Sequence, residues 1–350
     1  MSPRSKRLVS SLVSFALAAA LLAFFLRKLD LKMVGGAIGR AHLGWLVLAT
    51  VLSILVIPIR SWRWVRLLRR VGKVGQLEAY SATSIGFAAT ALLPARAGEI
   101  VRPAALAHTS RLPFAPLLAS VGLERLLDLV TVVALFIVYA IGWTPEMAGS
   151  EQATFHLIRR STYVLGAGTL VGLVLFAALA ARPEWADRLL NPVLARLPER
   201  FAAKLGGFVR SFLGGLGAVR SPAEIAVVAV SSAVLWLVIC FQIWAVMLAF
   251  DIRLPFPVSF FVLTWGVLGL AIPTPGGMGG YHTAVAYSLA GFYAVERNTA
   301  AALAIVLHGI SFVPITIIGL LFLAFGGLSL RTLRAEAESA AADRPGGETR

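Results

Sequence analysis

Long apolar runs separated by short polar connections fill most of the chain. Six of them, about 8–26, 43–59, 116–142, 162–181, 223–250 and 298–327, approach or exceed the length a membrane-crossing helix needs. That length is about 20 residues, at ~1.5 Å per residue across roughly 30 Å of hydrocarbon. None shows the period-2 alternation of a transmembrane barrel strand, so the runs predict helices. Two further apolar runs, about 79–93 and 257–272, lead directly into Leu93-Pro94-Ala95-Arg96-Ala97-Gly98-Glu99 and Ile272-Pro273-Thr274-Pro275-Gly276-Gly277-Met278-Gly279-Gly280. Either these segments are broken, re-entrant hairpins, or Pro and Gly kink two ordinary spans. The predicted fold is therefore an all-α polytopic membrane protein of six to eight transmembrane helices.

Composition sharpens this. Of 350 residues, 58% are hydrophobic and 14% charged, with mean hydropathy +0.83. A soluble domain of this length carries about a quarter charged residues, so that class is excluded. The net charge of +15 would raise nucleic acid as a partner in a soluble protein. Here the basic residues lie between apolar runs and read as topology signals and contacts to lipid phosphates. Arg60, Arg63, Arg66, Arg69, Arg70 and Lys73 follow the second run, and Arg182, Arg188, Arg196, Arg200, Lys204, Arg210 and Arg220 fill the connection 182–222. Both connections are expected on the cytoplasmic side. With six full spans, both termini are then cytoplasmic, and the basic connection 27–42 falls outside, against the rule. The N-terminal run ends at Arg27-Lys28 without a small-residue cleavage site and reads as an uncleaved first helix.

In the connection 182–222, Leu197, Phe201, Leu205, Phe208, Phe212 and Leu216 recur at intervals of three and four among basic residues. This predicts an amphipathic helix, lying on the cytoplasmic membrane surface or packed on the bundle. The polar stretch 331–350 is expected to be a disordered cytoplasmic tail.

If the two broken segments are hairpins, the one at Pro94 enters from the cytoplasm and the one at Pro273 from outside. The pattern then predicts inverted halves, about 43–142 and 223–327, within a single transmembrane domain 1–330. Pro94-x-x-x-Gly98 and Pro273-x-x-x-Gly277 superpose in register. Inverted-repeat transporters place their substrate where such discontinuous helices meet.

Ionisable residues inside spans are costly unless paired or facing a cavity, so they mark candidate sites. Glu124, Arg125 and Asp128 share one broad face of the third long run, Glu124 and Asp128 being one turn apart. Either they lock helices together, or Arg125 is a positive point balanced by the two carboxylates until an anion arrives. Arg96, Glu99 and Arg102 surround Gly98, which permits a tight backbone where a new helix N-terminus offers N–H groups to an anion. Arg96, Arg102 and Arg125 together suit a lipid phosphate, with Glu99, Glu124 and Asp128 as charge-balancing or coupling groups. Arg96 and Arg102 also fit as anchors at the membrane edge.

The broken-helix motif residues are Pro94, Gly98, Pro273, Pro275, Gly276, Gly277 and Gly279. Tyr281, His282 and His308 form a candidate polar site, although an intramembrane histidine also serves as a hydrogen-bonded core residue. No nucleotide-binding, metal-ligating or hydrolase motif occurs, and Cys240 is the single cysteine. No cofactor, metal or nucleotide is implied, and the chain is expected not to be an enzyme. Its partners are expected to be membrane lipids, and Gly168-x-x-x-Gly172 leaves room for a homo-oligomer.

Three motifs in order, Pro94-x-Arg96-x-Gly98-Glu99-x-x-Arg102, Glu124-Arg125-x-x-Asp128 and Pro273-x-Pro275-Gly276-Gly277-x-Gly279, resemble the lysylphosphatidylglycerol synthase transmembrane region family of flippase-like proteins. The resemblance spans nearly the whole chain. It implies a bacterial or archaeal cytoplasmic-membrane protein related to the lipid-flipping part of the synthase. Nothing after residue 330 is expected to fold into the soluble aminoacyl-transferase domain, so synthase activity is not carried over. Many members carry an acidic residue after the glycine run and an arginine in the last span, where this chain has Tyr281-His282 and His308. The resulting expectation is a flippase or scramblase for a phospholipid or related lipid. The alternatives are a scaffold in envelope biogenesis and an intramembrane transferase acting on a polyprenyl-phosphate or glycolipid.

The hairpin topology predicts that single cysteines near Arg96 and at Met278, in a chain lacking Cys240, react with an impermeant maleimide from opposite sides of the membrane. Labelling of both from one side refutes it.

Overall fold

The structure, a computed structural model, describes residues 3–143 other than 28, 70 and 94–96, residues 222–326 other than 273, and a few isolated positions between them. The expected span 162–181, nearly all of the amphipathic segment 182–222 and the tail 331–350 lie outside the described residues. So do Pro94, Arg96, Gly168, Gly172 and Pro273.

Among the described residues the chain forms ten α-helices and no strand: α1 (Pro3–Leu26), α2 (Leu31–Arg40), α3 (Leu43–Leu68), α4 (Gln76–Leu92), α5 (Gly98–Ser110), α6 (Phe114–Gly142), α7 (Pro222–Ala249), α8 (Val258–Leu270), α9 (Gly280–Ala290) and α10 (Arg297–Phe325). Helices α3, α6, α7 and α10 are each long and apolar enough to cross a bilayer, and α1 with α2 makes up to a fifth span. The protein is thus an all-α polytopic membrane protein.

Two local differences from the sequence reading have clear causes. The basic connection 27–42 contains a helix, α2, because the Asp30 carboxylate accepts from the N–H groups of Lys32 (2.9 Å) and Met33 (3.3 Å) and caps it. The Asp30 N–H donates to Asn298 Oδ1 at 3.0 Å, tying this cap to the start of α10. Helix α3 does not stop at Ile59 but runs on to Leu68, because Trp64, Leu67 and Leu68 continue its buried face.

Helices α4, α5, α8 and α9 have 17, 13, 13 and 11 residues. They rise about 26, 20, 20 and 17 Å, less than the roughly 30 Å of a hydrocarbon core. They pair side by side, α4 with α5 and α8 with α9, so each broken segment is a helical hairpin and not a kinked span. A glycine pair brings each pair of limbs together. A Cβ on Gly98 would strike the Gly86 carbonyl, and Cβ atoms on Gly269 and Gly280 would each lie 2.6 Å from the other's carbonyl oxygen. At the tip of the second hairpin Gly276, Gly277 and Gly279 take φ of 59°, 68° and 83°, a left-handed turn open to glycine.

The packing repeats. Long helix, hairpin, long helix describes α3 to α6 and again α7 to α10. The opening helices α3 and α7 pack on each other. The hairpin of each half packs on the closing helix of the other half, α4 on α10 and α8 on α6. Helices α3 and α7 run antiparallel: the His42 N–H donates to the Ala249 carbonyl (2.8 Å) at one end, and Arg63 Nη1 donates to Ser232 Oγ (2.8 Å) towards the other.

In lipid, helices associate through close packing and polar contacts more than through the hydrophobic effect. The α4–α10 contact is lined accordingly by small residues, Gly319 lying against Ser84 and Ala88. The second hairpin meets α6 through aromatic rings, Phe261 lying 5.2 Å from Tyr139 and 5.1 Å from Phe292 between centroids.

The close limbs generate a packing prediction. Gly269→Val places carbon against the Gly280 backbone and should lower stability by about 1–3 kcal/mol, visible as a lower midpoint of thermal unfolding in detergent. Gly309→Ala, where a Cβ meets nothing within 4 Å, should leave the midpoint unchanged or slightly higher.

Candidate functional site

Helix α6 carries Glu124 and Asp128 one turn apart on its buried face, 0% and 4% exposed. Helix α3 carries Arg60 and Arg63, also one turn apart and 3% and 0% exposed, on the face turned towards α6. The four interlock. Arg60 Nη1 lies 2.7 Å from Asp128 Oδ2, and Arg63 Nη2 lies 2.8 Å from Asp128 Oδ1 and 3.3 Å from Glu124 Oε1. Arg102 of α5 pairs through Nη1 with the other Glu124 oxygen. The charges therefore alternate along Arg60, Asp128, Arg63, Glu124 and Arg102, each carboxylate meeting two guanidiniums.

A neutral acceptor and a neutral donor complete the cluster. Ser232 and Trp236, one turn apart on α7, bind Arg63 and Asp128: Ser232 Oγ accepts from Arg63, and Trp236 Nε1 donates to Asp128 Oδ1 at 3.1 Å. The Arg102 guanidinium stacks 3.8 Å above the Trp64 ring, which is itself held by donation from Nε1 to Ser120 Oγ at 2.8 Å. Ionised groups in low dielectric persist only when paired and hydrogen-bonded, and this alternation supplies both conditions.

Arg125 sits at the rim, its side chain 39% exposed, with Nε 3.7 Å from Glu99 Oε1 and Nη1 3.5 Å from Asp128 Oδ2. These separations are charge contacts more than good hydrogen bonds. Beside it opens a cavity of about 440 Å³, bounded by Thr90, Gly98 and Glu99 of the first hairpin, Thr274, Gly276 and Gly277 of the second, and Arg102, Arg125 and Asp128. The two hairpin tips meet there, Gly276 lying against Ala91. Arg102 is 2% exposed, yet its Nε and Nη2 have no hydrogen-bond partner. Among the described residues, four guanidiniums (Arg60, Arg63, Arg102 and Arg125) against three carboxylates (Glu99, Glu124 and Asp128) leave one formal positive charge. Such an arrangement is chemically suited to an anion.

Of the candidates read from sequence, Arg102, Arg125, Glu99, Asp128, Gly98, Gly276 and Gly277 border this cavity, and Glu124 lies directly behind Arg102. Arg96, Pro94 and Pro273 lie outside the described residues. The pairing differs from the expectation that Arg125 balances both carboxylates: Glu124 is held by Arg63 and Arg102, and Arg125 reaches Glu99 and Asp128. Pro275 opens the turn of the second hairpin, and Gly279 packs against Leu21 of α1. His282 and His308 do not border the cavity. His308 Nε2 donates to the Gly276 carbonyl at 2.8 Å, and His282 Nδ1 accepts from the Gly279 N–H at 3.3 Å, so both rings fasten the glycine turn. Tyr281 is buried beside them, its ring centroid 5.4 Å from that of His308.

Arg60 and Arg63 escaped the sequence reading because they were counted as loop charges. The signal that could have found them is phase: with Trp64, Leu67 and Leu68 continuing the helix, both arginines fall on its inner face. Ser232 and Trp236 carried no signal beyond lying in an apolar span.

A polytopic helical membrane protein, in which two helical hairpins border a cavity beside an arginine–carboxylate cluster, is the class this fold and site define. The chain belongs to the lysylphosphatidylglycerol synthase TM region family, which it matches over residues 11–319. It is also similar to glycosyltransferase AglD of Haloferax volcanii, at 28% identity over 344 residues, covering 91% of this chain and 54% of that protein. The chain thus spans about half the length of this curated relative. The match corrects the expectation that the chain is not an enzyme, because a relative aligned along 91% of it is named for glycosyl transfer.

The cluster yields a stability prediction. Glu124→Ala strips Arg63 and Arg102 of their shared partner and should cost about 3–5 kcal/mol, read as loss of monodisperse protein or a large fall in thermal midpoint. Arg253→Ala, whose pair with Asp251 is solvent-exposed, should cost less than about 1 kcal/mol.

Proposed function

We propose that this protein binds the phosphate of a membrane lipid between its two hairpin tips and carries the lipid between leaflets. The observation that supports this best is Arg102, buried with two unsatisfied guanidinium N–H groups at a cavity whose formal charge is positive. Arg125 at the rim is the first contact for the phosphate, and Arg102 the inner one. Guanidiniums suit this task because their planar donors match phosphate oxygens. The lipid's acyl chains remain among the apolar helix faces, and the carboxylates keep the empty site close to neutral. On this reading the chain lies in the cytoplasmic membrane with both termini inside, and movement is passive or ion-driven.

The similarity to a protein named as a glycosyltransferase favours a second reading, in which the same site presents a lipid phosphate to a glycosyl-transfer reaction. Both readings use the same arginines. They differ in whether the lipid crosses the bilayer.

In liposomes carrying a fluorescent phospholipid, the protein should raise the rate at which inner-leaflet label becomes accessible to an impermeant quencher. Arg102→Gln and Arg125→Gln should each reduce that rate about tenfold or more, the loss of a charge-assisted hydrogen bond, while Arg253→Ala retains it. No acceleration over protein-free liposomes for zwitterionic, anionic and polyprenyl-phosphate lipids overturns translocation. Arg102-dependent binding of polyprenyl phosphate without translocation supports the second reading.

A further inference from the structure

A second cavity of about 200 Å³ adjoins the first, and Phe87, Arg125, Trp236 and Phe312 stand in the walls of both. Its chemistry is different. Among the described residues no carboxylate lines it, and uncharged polar groups stand in its wall: Gln242 of α7, Ser311 of α10, Tyr281 of α9 and Ser53 of α3. Gln242 Nε2 donates to Ser311 Oγ at 2.9 Å, and Tyr281 stands in the same wall. Gln242 is 3% exposed in an otherwise apolar span, where an amide is costly unless it has a purpose. Its one hydrogen bond from these residues uses the amide nitrogen, and the amide oxygen is left for a donor in the cavity.

From this juxtaposition we infer that the smaller cavity is a headgroup subsite for a neutral, hydroxyl-bearing group esterified to the phosphate, such as a polyol or a sugar. The inference rests on the phosphate reading of the larger cavity. Hydroxyls both donate and accept, so they can bond to the Gln242–Ser311 pair and to the Tyr281 hydroxyl alike. The cavity holds about seven water volumes, enough for a small polyol and too little for an oligosaccharide. A cationic headgroup finds no partner: Glu99, Glu124 and Asp128 each already lie within 4 Å of a guanidinium, and the subsite adds two arginines, Arg60 and Arg125. The pairing of the carboxylates therefore argues against a cationic headgroup.

The test uses the full chain in nanodiscs and competes a fluorescent phosphatidylglycerol against unlabelled phosphatidylinositol, phosphatidic acid and lysylphosphatidylglycerol. The wild type should prefer phosphatidylinositol to phosphatidic acid by about fivefold or more, the worth of one or two neutral hydrogen bonds, and should bind the lysyl lipid weakest. Gln242→Leu should abolish the preference for phosphatidylinositol while leaving phosphatidic acid binding unchanged. Ser311→Ala should reduce it in the same direction and replaces Gln242→Leu if that variant is not monodisperse. Equal wild-type affinity for phosphatidylinositol and phosphatidic acid, or a Gln242→Leu effect equal on all lipids, overturns the subsite while leaving the phosphate reading intact. Binding of no lipid, or binding indifferent to Arg102→Gln, overturns the phosphate reading and the subsite with it.

Discussion

Two carboxylates on one helix, Glu124 and Asp128, hold three guanidiniums brought from two other helices, and the arrangement of the bundle follows from keeping these five charges matched away from water. In a hydrocarbon setting an unmatched member of the set would be expelled or neutralised. Helix α3 must therefore continue inward past Arg60, α5 must lie against α6 so that Arg102 reaches Glu124, and α7 must present Ser232 and Trp236 at the same depth. The alternation leaves Arg102 Nε and Nη2 without a partner, in a residue that stands in the wall of the space between the hairpins.

The hairpins are what give this cluster a cavity. A continuous pair of spans would fill the volume between α6 and α10 with side chains. Two short limbs that turn back leave backbone, glycine and a few hydroxyls at their tips. Close limbs require Gly86 against Gly98 and Gly269 against Gly280, and the second tip needs three left-handed glycines. His282 and His308 then serve the backbone, each giving a polar atom of the turn the partner that water supplies outside a membrane.

Much of this was legible in the sequence. The helical membrane class and the two broken segments follow from run lengths and Pro/Gly placement, and Arg102, Arg125, Glu99, Glu124 and Asp128, singled out as charges in or beside apolar stretches, are brought together by the fold. What could not be read is partnership. That Glu124 pairs with Arg63 and Arg102 instead of Arg125 depends on how α3 and α5 rotate against α6, and no local pattern states a rotation. Counting Arg60 and Arg63 as positive-inside signals hid them, because a count ignores helical phase. The histidines show the converse: their residue type suggested chemistry, and only the positions of the Gly276 carbonyl and the Gly279 N–H reveal that they hold a turn.

The two halves repeat a backbone without repeating its chemistry. The ionised residues of the cluster and its rim, Arg60, Arg63, Glu99, Arg102, Glu124, Arg125 and Asp128, come from the first half, while the second contributes a hydroxyl, an indole and a glycine turn. A pseudo-symmetric scaffold of this kind is electrically lopsided about its own axis. On the proposed function, any movement of one half against the other carries the counter-charge for an anion with α3, α5 and α6, and the opposite wall can follow it only with dipoles.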